Sequence, residues 1–299
     1  MVMASLIDEN RLSYTLNSIA FEYLREVKDE KALKEAAESF GIDAKKEMYK
    51  LPAMFVGNYA EKDAELTLEL WQMFKKEIIH QDIESIFNLE TDLFPCLVDM
   101  KFKGVRVNAE HASVLKKQLI TREEALLFDI KKETGIDIQI MAARSIAKMF
   151  DQLKLPYDKT EKSKEPSFTK NFLQEHPHPL VQKIAQAREV NKAHSTFIDS
   201  ILKFEHKGRI HADINQIRSD QGGTVTGRFS YHNPNLQQLP ARNKDLGPMI
   251  RSLFLPDEGC TWGCFDYSQQ EPRLVAHYAA LYKFPSVYEV IDEYNNDSS

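Results

Sequence analysis

At 299 residues, 42% hydrophobic and 28% charged, the chain can bury two or three separate cores. It has no apolar run of the roughly 18 residues that a bilayer span requires, and its opening residues are not expected to act as a signal peptide. Its three cysteines, Cys96, Cys260 and Cys264, are odd in number and lack zinc spacing, so the expected setting is a reducing cytoplasm with no membrane contact.

The net charge of −6 argues against a nucleic-acid partner only until it is divided along the chain. Residues 1–100 hold 11 Lys/Arg against 20 Asp/Glu, whereas residues 203–251 hold eight bases against four acids. A local balance of +4, the difference of those two counts, is what matters for phosphate contact. A solvated basic face would look the same.

The first eighty residues read as helices. Leu16, Ile19, Tyr23 and Val27 recur at helical spacing, Gly41 breaks the pattern, and a long helix is predicted from about Asn58 to beyond Ile79. Tyr59 and Asp63 lie four apart within it and share one face.

The chain from about Glu84 to Lys207 is again mostly helical, with one long helix over Ala109 to Thr134. The stretch from Asp158 to Pro166, carrying Lys159, Lys162 and Lys164 without apolar periodicity, reads as a flexible loop that either touches phosphates or is merely solvated. Arg209 to Gln216 alternates and is expected to be a strand, and Gly222-Gly223 a turn.

Near the C-terminal end, the apolar run Trp262 to Phe265 reads as a short strand that delivers Asp266 at its end. Ser268 then serves as N-cap of a helix, with Glu271 three residues on, as in a capping box. A carboxylate between strand and helix is well placed to hold a metal, because neighbouring carbonyls can point at the same ion. It is equally consistent with an ordinary strand-to-helix junction.

Three linked motifs decide between those readings. Thr226-Gly227-Arg228-Phe229-Ser230, then Pro234-Asn235-Leu236-Gln237-Gln238-Leu239-Pro240, then Asp266-Tyr267-Ser268-Gln269-Gln270-Glu271-Pro272-Arg273 resemble, in order and separation, the motifs of family A DNA polymerases. The double Gln269-Gln270 and Pro272 are more similar to phage members than to bacterial ones. Met100 to Asn108 resembles the segment that leads into the polymerase part. Ala187 to Phe197 is similar to the helix whose Lys192, Ser195 and Thr196 grip duplex DNA. His194 stands where the family has Lys, which implies that one phosphate contact is weakened or pH-dependent. Tyr59 to Thr67 resembles the last motif of the proofreading 3′–5′ exonuclease, in which the Asp (here Asp63) binds a metal and the Tyr (here Tyr59) positions water.

The resemblance implies an α+β, helix-dominated fold in three parts. These are the C-terminal part of a ribonuclease H-like exonuclease domain (1–83), helices leading into the polymerase together with the thumb (84–207), and the N-terminal part of an antiparallel palm (208–299). It implies DNA replication by two-metal nucleotidyl transfer, with Mg²⁺, primer–template DNA and dNTP as partners, in the host cytoplasm if the chain is phage-encoded. Asp266 and the Tyr267 carbonyl would hold metal, and Glu271 would lie under the nucleotide sugar and exclude a ribose 2′-hydroxyl. Gln269 and Arg273 would support the nucleotide site. Arg228, Asn235 and Gln237 would face the minor groove, and Arg242 and Lys244 would meet phosphates.

It further implies a fragment. The D-x-E strand and middle Asp of the exonuclease, the fingers helix and the second palm Asp have no counterpart in the sequence. The chain alone is therefore expected to be inactive, with a poorly folding exonuclease remnant. The alternatives are one half of a split polymerase completed by a complementary chain, and a non-catalytic duplex-DNA-binding protein.

Overall fold

The computed structural model describes residues 1–219, 222–241 and 243–296. The chain divides into two compact units, residues 1–255 and 256–299.

The first unit begins with α1 (Val2–Ile7), α2 (Leu16–Leu24), α3 (Lys31–Ser39), a 3-10 turn (Met48–Lys50) and α4 (Ala53–His80). Thr15 caps α2 by accepting from the Ser18 amide at 3.4 Å, and the helix stops at Arg25 in the left-handed conformation. Val27 therefore lies outside the helix that its spacing suggested. Leu66, Leu70, Phe74 and Ile78 form a buried stripe on α4 that meets Ile19 and Ala20 of α2 and Met3 and Ala4 of α1. Tyr23 packs edge-on against Phe74, with ring centroids 4.8 Å apart. These residues form one hydrophobic core, on which Phe87 and Ile217 also pack, while Met54, Leu68 and Trp71 stay exposed on α4.

Next, α5 (Glu84–Lys103) ends at Gly104, which leads into β1 (Val105–Val107). Gly104 has φ +63°, and a Cβ there would sit 2.7 Å from the Ile210 carbonyl oxygen, so only glycine fits. Asn108 caps α6 (Ala109–Thr134) by accepting from the His111 amide at 2.9 Å, and Gly135 ends it in the left-handed region. The helix has the bounds expected from sequence.

The helical part of the unit continues with α7 (Ala143–Gln152), β2 (Asp158–Lys159), β3 (Pro166–Ser167), α8 (Lys170–Glu175), α9 (Pro179–Lys192), a π-helical turn (Ala193–Ile198) and α10 (Asp199–Phe204). One core joins the C-terminal half of α6 to α7, α8 and α9 through Ile130, Ile146, Phe150, Leu173, Val181 and Ile184. The 158–166 loop is an ordered hairpin rather than an irregular tip. Antiparallel β2 and β3 pair Asp158 with Ser167, the Thr160 amide donates to the Glu165 carbonyl at 2.9 Å, and Arg144 grips the Glu165 carboxylate with two bonds.

Four short strands then follow: β4 (Glu205–His206), β5 (Arg209–Ile210), β6 (Asp213–Asn215) and β7 (Ser230–His232). A 3-10 turn (Leu236–Gln238), α11 (Leu246–Arg251) and β8 (Phe254–Leu255) complete the unit. The sheet order is β4-β5-β1-β8, all neighbours antiparallel, and β6 pairs separately with β7. The single strand expected over 209–216 is therefore broken at 211–212 into two strands of different sheets. Val107, Ile210, Ile198, Ile201, Ile250 and Leu253 form the core beneath the four-stranded sheet.

The second unit holds α12 (Gln270–Leu281) and α13 (Val287–Asn296). No strand forms over Trp262–Phe265; Trp262 is 58% and Phe265 98% exposed. A lone strand is unstable in water without a pairing neighbour, and the described residues of this unit provide none. The fold as a whole is helix-rich with small antiparallel sheets.

Candidate nucleic-acid interface and active-site segment

The helical face expected to grip duplex is built by the junction of α9 with the π turn. Lys192, Ser195 and Thr196 are all exposed there, at i, i+3 and i+4, and so project from one side. The Ser195 hydroxyl donates to the Asn191 carbonyl at 2.7 Å, so it must rotate to donate to a phosphate. His194 points the other way: it is buried, with Nε2 2.6 Å from Glu123 Oε2 of α6. The expected phosphate contact at 194 is corrected accordingly. Half a turn of helix carries this side chain inward, where it meets a carboxylate.

The Thr-Gly-Arg segment runs between the turn at Gly223 and β7 and is held at two points. Thr224 Oγ1 donates to the Arg228 carbonyl at 2.7 Å, and Gln237 Nε2 donates to the Phe229 carbonyl at 2.9 Å. Gln237 Oε1 in turn accepts from the Tyr231 amide at 3.2 Å. Asn235 Oδ1 accepts from the Gln237 amide and caps the 3-10 turn. Asn235 and Gln237 thus shape the loop that presents Arg228, itself exposed. Gly223 allows the preceding turn, because a Cβ there would meet the Ile217 carbonyl oxygen at 2.3 Å. Arg242 lies outside the described residues; Lys244 is exposed.

Beside this loop, Asp213 on β6 receives Lys101 of α5 and, at 3.0 Å, the Asn233 side-chain amide, with His232 Nε2 3.3 Å away. Burial pushes the Asp213 carboxyl up, but the hydrogen bonds from Lys101 and Asn233, with the charges of Lys101 and His232, hold it below its ordinary value. This cluster ties α5 to the β6–β7 pair. It could not be read from sequence, because Lys101 and Asp213 lie 112 positions apart.

In the second unit Asp266 and Tyr267 are exposed on irregular backbone. The capping box does not form: α12 begins at Gln270, its N-cap is Gln269 in the left-handed conformation, and no side chain caps it. Ser268 instead uses its carbonyl, which accepts from Arg273 Nε at 2.9 Å. Arg273 Nη2 donates to the Tyr294 carbonyl at 3.1 Å, and its guanidinium lies over the Tyr294 ring at 4.8 Å. Arg273 thereby braces the 266–269 segment and α12 against α13, around buried Ala276 and Val287. Glu271 sits in the first turn of α12, exposed.

At the other end of the chain, Tyr59 and Asp63 share the face of α4 that their spacing predicts, and Lys28 bridges them. Its ammonium pairs with the Asp63 carboxylate, lies 3.3 Å from the Tyr59 hydroxyl, and stands over the Tyr59 ring at 4.7 Å. Burial pushes the Lys28 ammonium down, yet hydrogen bonds to Asp63 and Tyr59 hold it above its ordinary value. Nothing local in the sequence signals Lys28.

Among the described residues no group of three or more His, Cys, Asp or Glu is placed to hold a metal ion. A two-ion centre needs several carboxylates converging on ions roughly 3.5–4 Å apart. Neither Asp266 nor Asp63 has that company, so the described residues do not by themselves fit a Mg²⁺ pair. No helix among them is long and apolar enough to cross a membrane.

Residues 109–292 match the family described as DNA polymerase family A. The chain is 36% identical to a DNA-directed DNA polymerase of Pseudomonas phage M6, over 98% of this chain and 46% of that protein. It is 33% identical to the DNA polymerase DpoZ of Salmonella phage PMBT28, over 93% of this chain and 48% of that protein. It thus spans about half the length of these relatives. Among solved structures it is similar to the polymerase domain of Pol1 from M. smegmatis, in complex with DNA primer-template and dNTP, at TM-score 0.70 and 23% identity. That likeness covers 93% of this chain and 45% of the other. With the family match covering residues 109–292, more than half of its length, the chain belongs to DNA polymerase family A.

Proposed function

We propose that this chain supplies the thumb and the first part of the palm of a template-directed DNA polymerase acting in DNA replication. Residues 1–83 are read as the end of an exonuclease domain, 84–207 as the lead-in helices and thumb, and 208–299 as palm. The observation that carries the reading is the stapled Thr-Gly-Arg loop, in which Thr224 and Gln237 fix the carbonyls of Arg228 and Phe229. Such a loop can press a cation into a minor groove, where acceptors are present at every base pair, without reading sequence. Lys192, Ser195, Thr196, Lys244 and Arg242 would add phosphate contacts, and primer–template DNA and dNTP would be the partners.

In that reading Asp266 contributes one carboxylate, and the Tyr267 carbonyl another oxygen, toward Mg²⁺. Mg²⁺ held there would supply charge stabilisation for two-metal nucleotidyl transfer. Donors beyond those grouped in the described residues are needed, as from a complementary chain or a longer polypeptide. Gln269 and Arg273 hold the Asp266 segment, and Glu271 guards the sugar position. Its phage relatives support a host-cytoplasm setting. A non-catalytic duplex-binding protein is the second reading, favoured by the absence of a metal-holding group among the described residues.

The test is primer–template binding combined with primer extension and single-strand degradation in Mg²⁺ or Mn²⁺. We expect sequence-independent binding that weakens steeply with salt, without extension or degradation. Absence of binding at low salt overturns the reading. Extension that vanishes in Asp266→Ala overturns the expected inactivity alone.

A further inference from the structure

A buried carboxylate sits behind the helical face proposed to touch DNA, and nothing in the family resemblance assigns it. α9 passes directly into the π turn, a wide turn that is rare and concentrated at functional sites. Its inner side is tied to α6 by Glu123, whose side chain is 13% exposed. Both Glu123 oxygens accept from Asn191 Nδ2, at 3.1 and 3.2 Å, and Oε2 lies 2.6 Å from His194 Nε2. A carboxylate removed from water is costly unless hydrogen-bonded, and here two side chains of one helical turn meet that need.

The network does not stop at the interior. Asn191 turns its remaining amide oxygen toward the Ser195 hydroxyl at 3.3 Å, while the Asn191 carbonyl accepts from the same hydroxyl at 2.7 Å. Glu123 is thus linked through a single side-chain amide to an exposed hydroxyl of the outer face. Lys192 lies between the two inward-facing positions, 191 and 194, so any rotation of the turn moves it and Thr196 together with Ser195. Glu189, one turn earlier on α9, is itself held by Gln174 at 2.7 Å and Asn243 at 3.0 Å, so the turn has a fixed end from which to be oriented.

We propose that Glu123 and His194 are positioning residues that fix the π turn so that Lys192, Ser195 and Thr196 present one face to primer–template phosphates. The proposal rests on the duplex-binding reading above. It makes His194 a brace rather than a weakened phosphate ligand.

The experiment compares duplex affinity, its salt slope and far-UV circular dichroism for the wild type, Glu123→Ala, Glu123→Gln, His194→Lys and Lys192→Ala. Lys192→Ala is the control for one lost phosphate contact and should flatten the salt slope by about one. Glu123→Ala should weaken binding about tenfold with the helical spectrum retained, and Glu123→Gln should recover most of it, because an acceptor for Asn191 remains. His194→Lys should leave the salt slope unchanged. Unchanged affinity in a folded Glu123→Ala overturns the proposal, as does a His194→Lys slope steeper by about one, which would put position 194 on the phosphates. Should Glu123→Ala fail to fold, Glu123→Gln and His194→Lys decide by the same readouts. A wild type that binds no duplex, with Lys192→Ala indistinguishable from it, removes the duplex reading and this inference with it.

Discussion

Lys28→Met isolates the contact that holds the Asp63 carboxylate and the Tyr59 ring together. The Lys28 side chain is 8% exposed and its partner Asp63 32% exposed. Removing one member of a fully buried pair costs about 3–5 kcal/mol, mostly the penalty of the charge left behind. Because a third of Asp63 remains wetted, water recovers part of that, and about 2 kcal/mol is expected for the pair, with up to about 1 more for the lost contact over the Tyr59 ring. Methionine keeps the apolar stem, so the loss reads the ammonium and not the packing. Since Lys28 is held above its ordinary value of 10.5, its contribution is fully present below that pH and fades only as pH rises through the folded value. A urea titration at pH 7 therefore reads the whole effect. Combined with Asp63→Asn in a double-mutant cycle, it should give a coupling of about 1–2 kcal/mol. Mn²⁺ should leave the wild-type melting temperature unmoved, because binding to the native state alone would raise it. A Lys28→Met loss under about 0.5 kcal/mol, or a Mn²⁺ stabilisation that Asp63→Asn abolishes, refutes the reasoning.

Gln237→Ala should loosen the Arg228 loop and weaken duplex binding severalfold with the salt slope nearly kept, whereas Arg228→Ala should lower affinity for all sequences alike, as duplex titrations with unrelated sequences would show. Asp213, held below its ordinary 3.8, contributes stability above that pH that is lost as pH falls through the folded value. Asp213→Asn should accordingly lower the melting temperature at pH 7 and converge with the wild type in acid. In a polymerase-competent assembly, Glu271→Ala should raise ribonucleotide over deoxyribonucleotide kcat/KM, and Asp266→Ala should abolish both. An unchanged sugar ratio removes Glu271 from the site.

The elements legible in sequence are those whose information is local. α6 has its predicted bounds because a capping Asn108, a long run of helix formers and Gly135 all act within a turn of its ends. Tyr59 and Asp63 share a face because spacing within one helix is enough to put them there. The resemblance likewise located the loop around Arg228, since its motif is contiguous. What the sequence hid is carried between distant segments. Lys28 reaches across 35 positions to Asp63, Lys101 across 112 to Asp213, and Glu123 across 71 to His194. A histidine in place of a lysine invites the reading of a weakened cation; only the packing of α6 against the π turn shows that it faces a carboxylate.

The misread strand at Trp262–Phe265 follows from the same division between local and distant information. A short apolar run with β-propensity reports that a segment suits a pleated surface, but the strand exists only when another backbone satisfies its amides and carbonyls. In the unit 256–299 the described residues provide no such edge, so Phe265 and Tyr267 stay in solvent while the adjoining helix α12, whose bonds are internal, forms regardless. Arg273 shows how far the unit can organise itself: one guanidinium joins Ser268, α12 and Tyr294. It holds the helix end but cannot supply a strand partner to the four residues before Asp266. The geometry of that carboxylate is therefore a property of pairing, and the proposed catalytic role of Asp266 requires a neighbouring strand as much as it requires an ion.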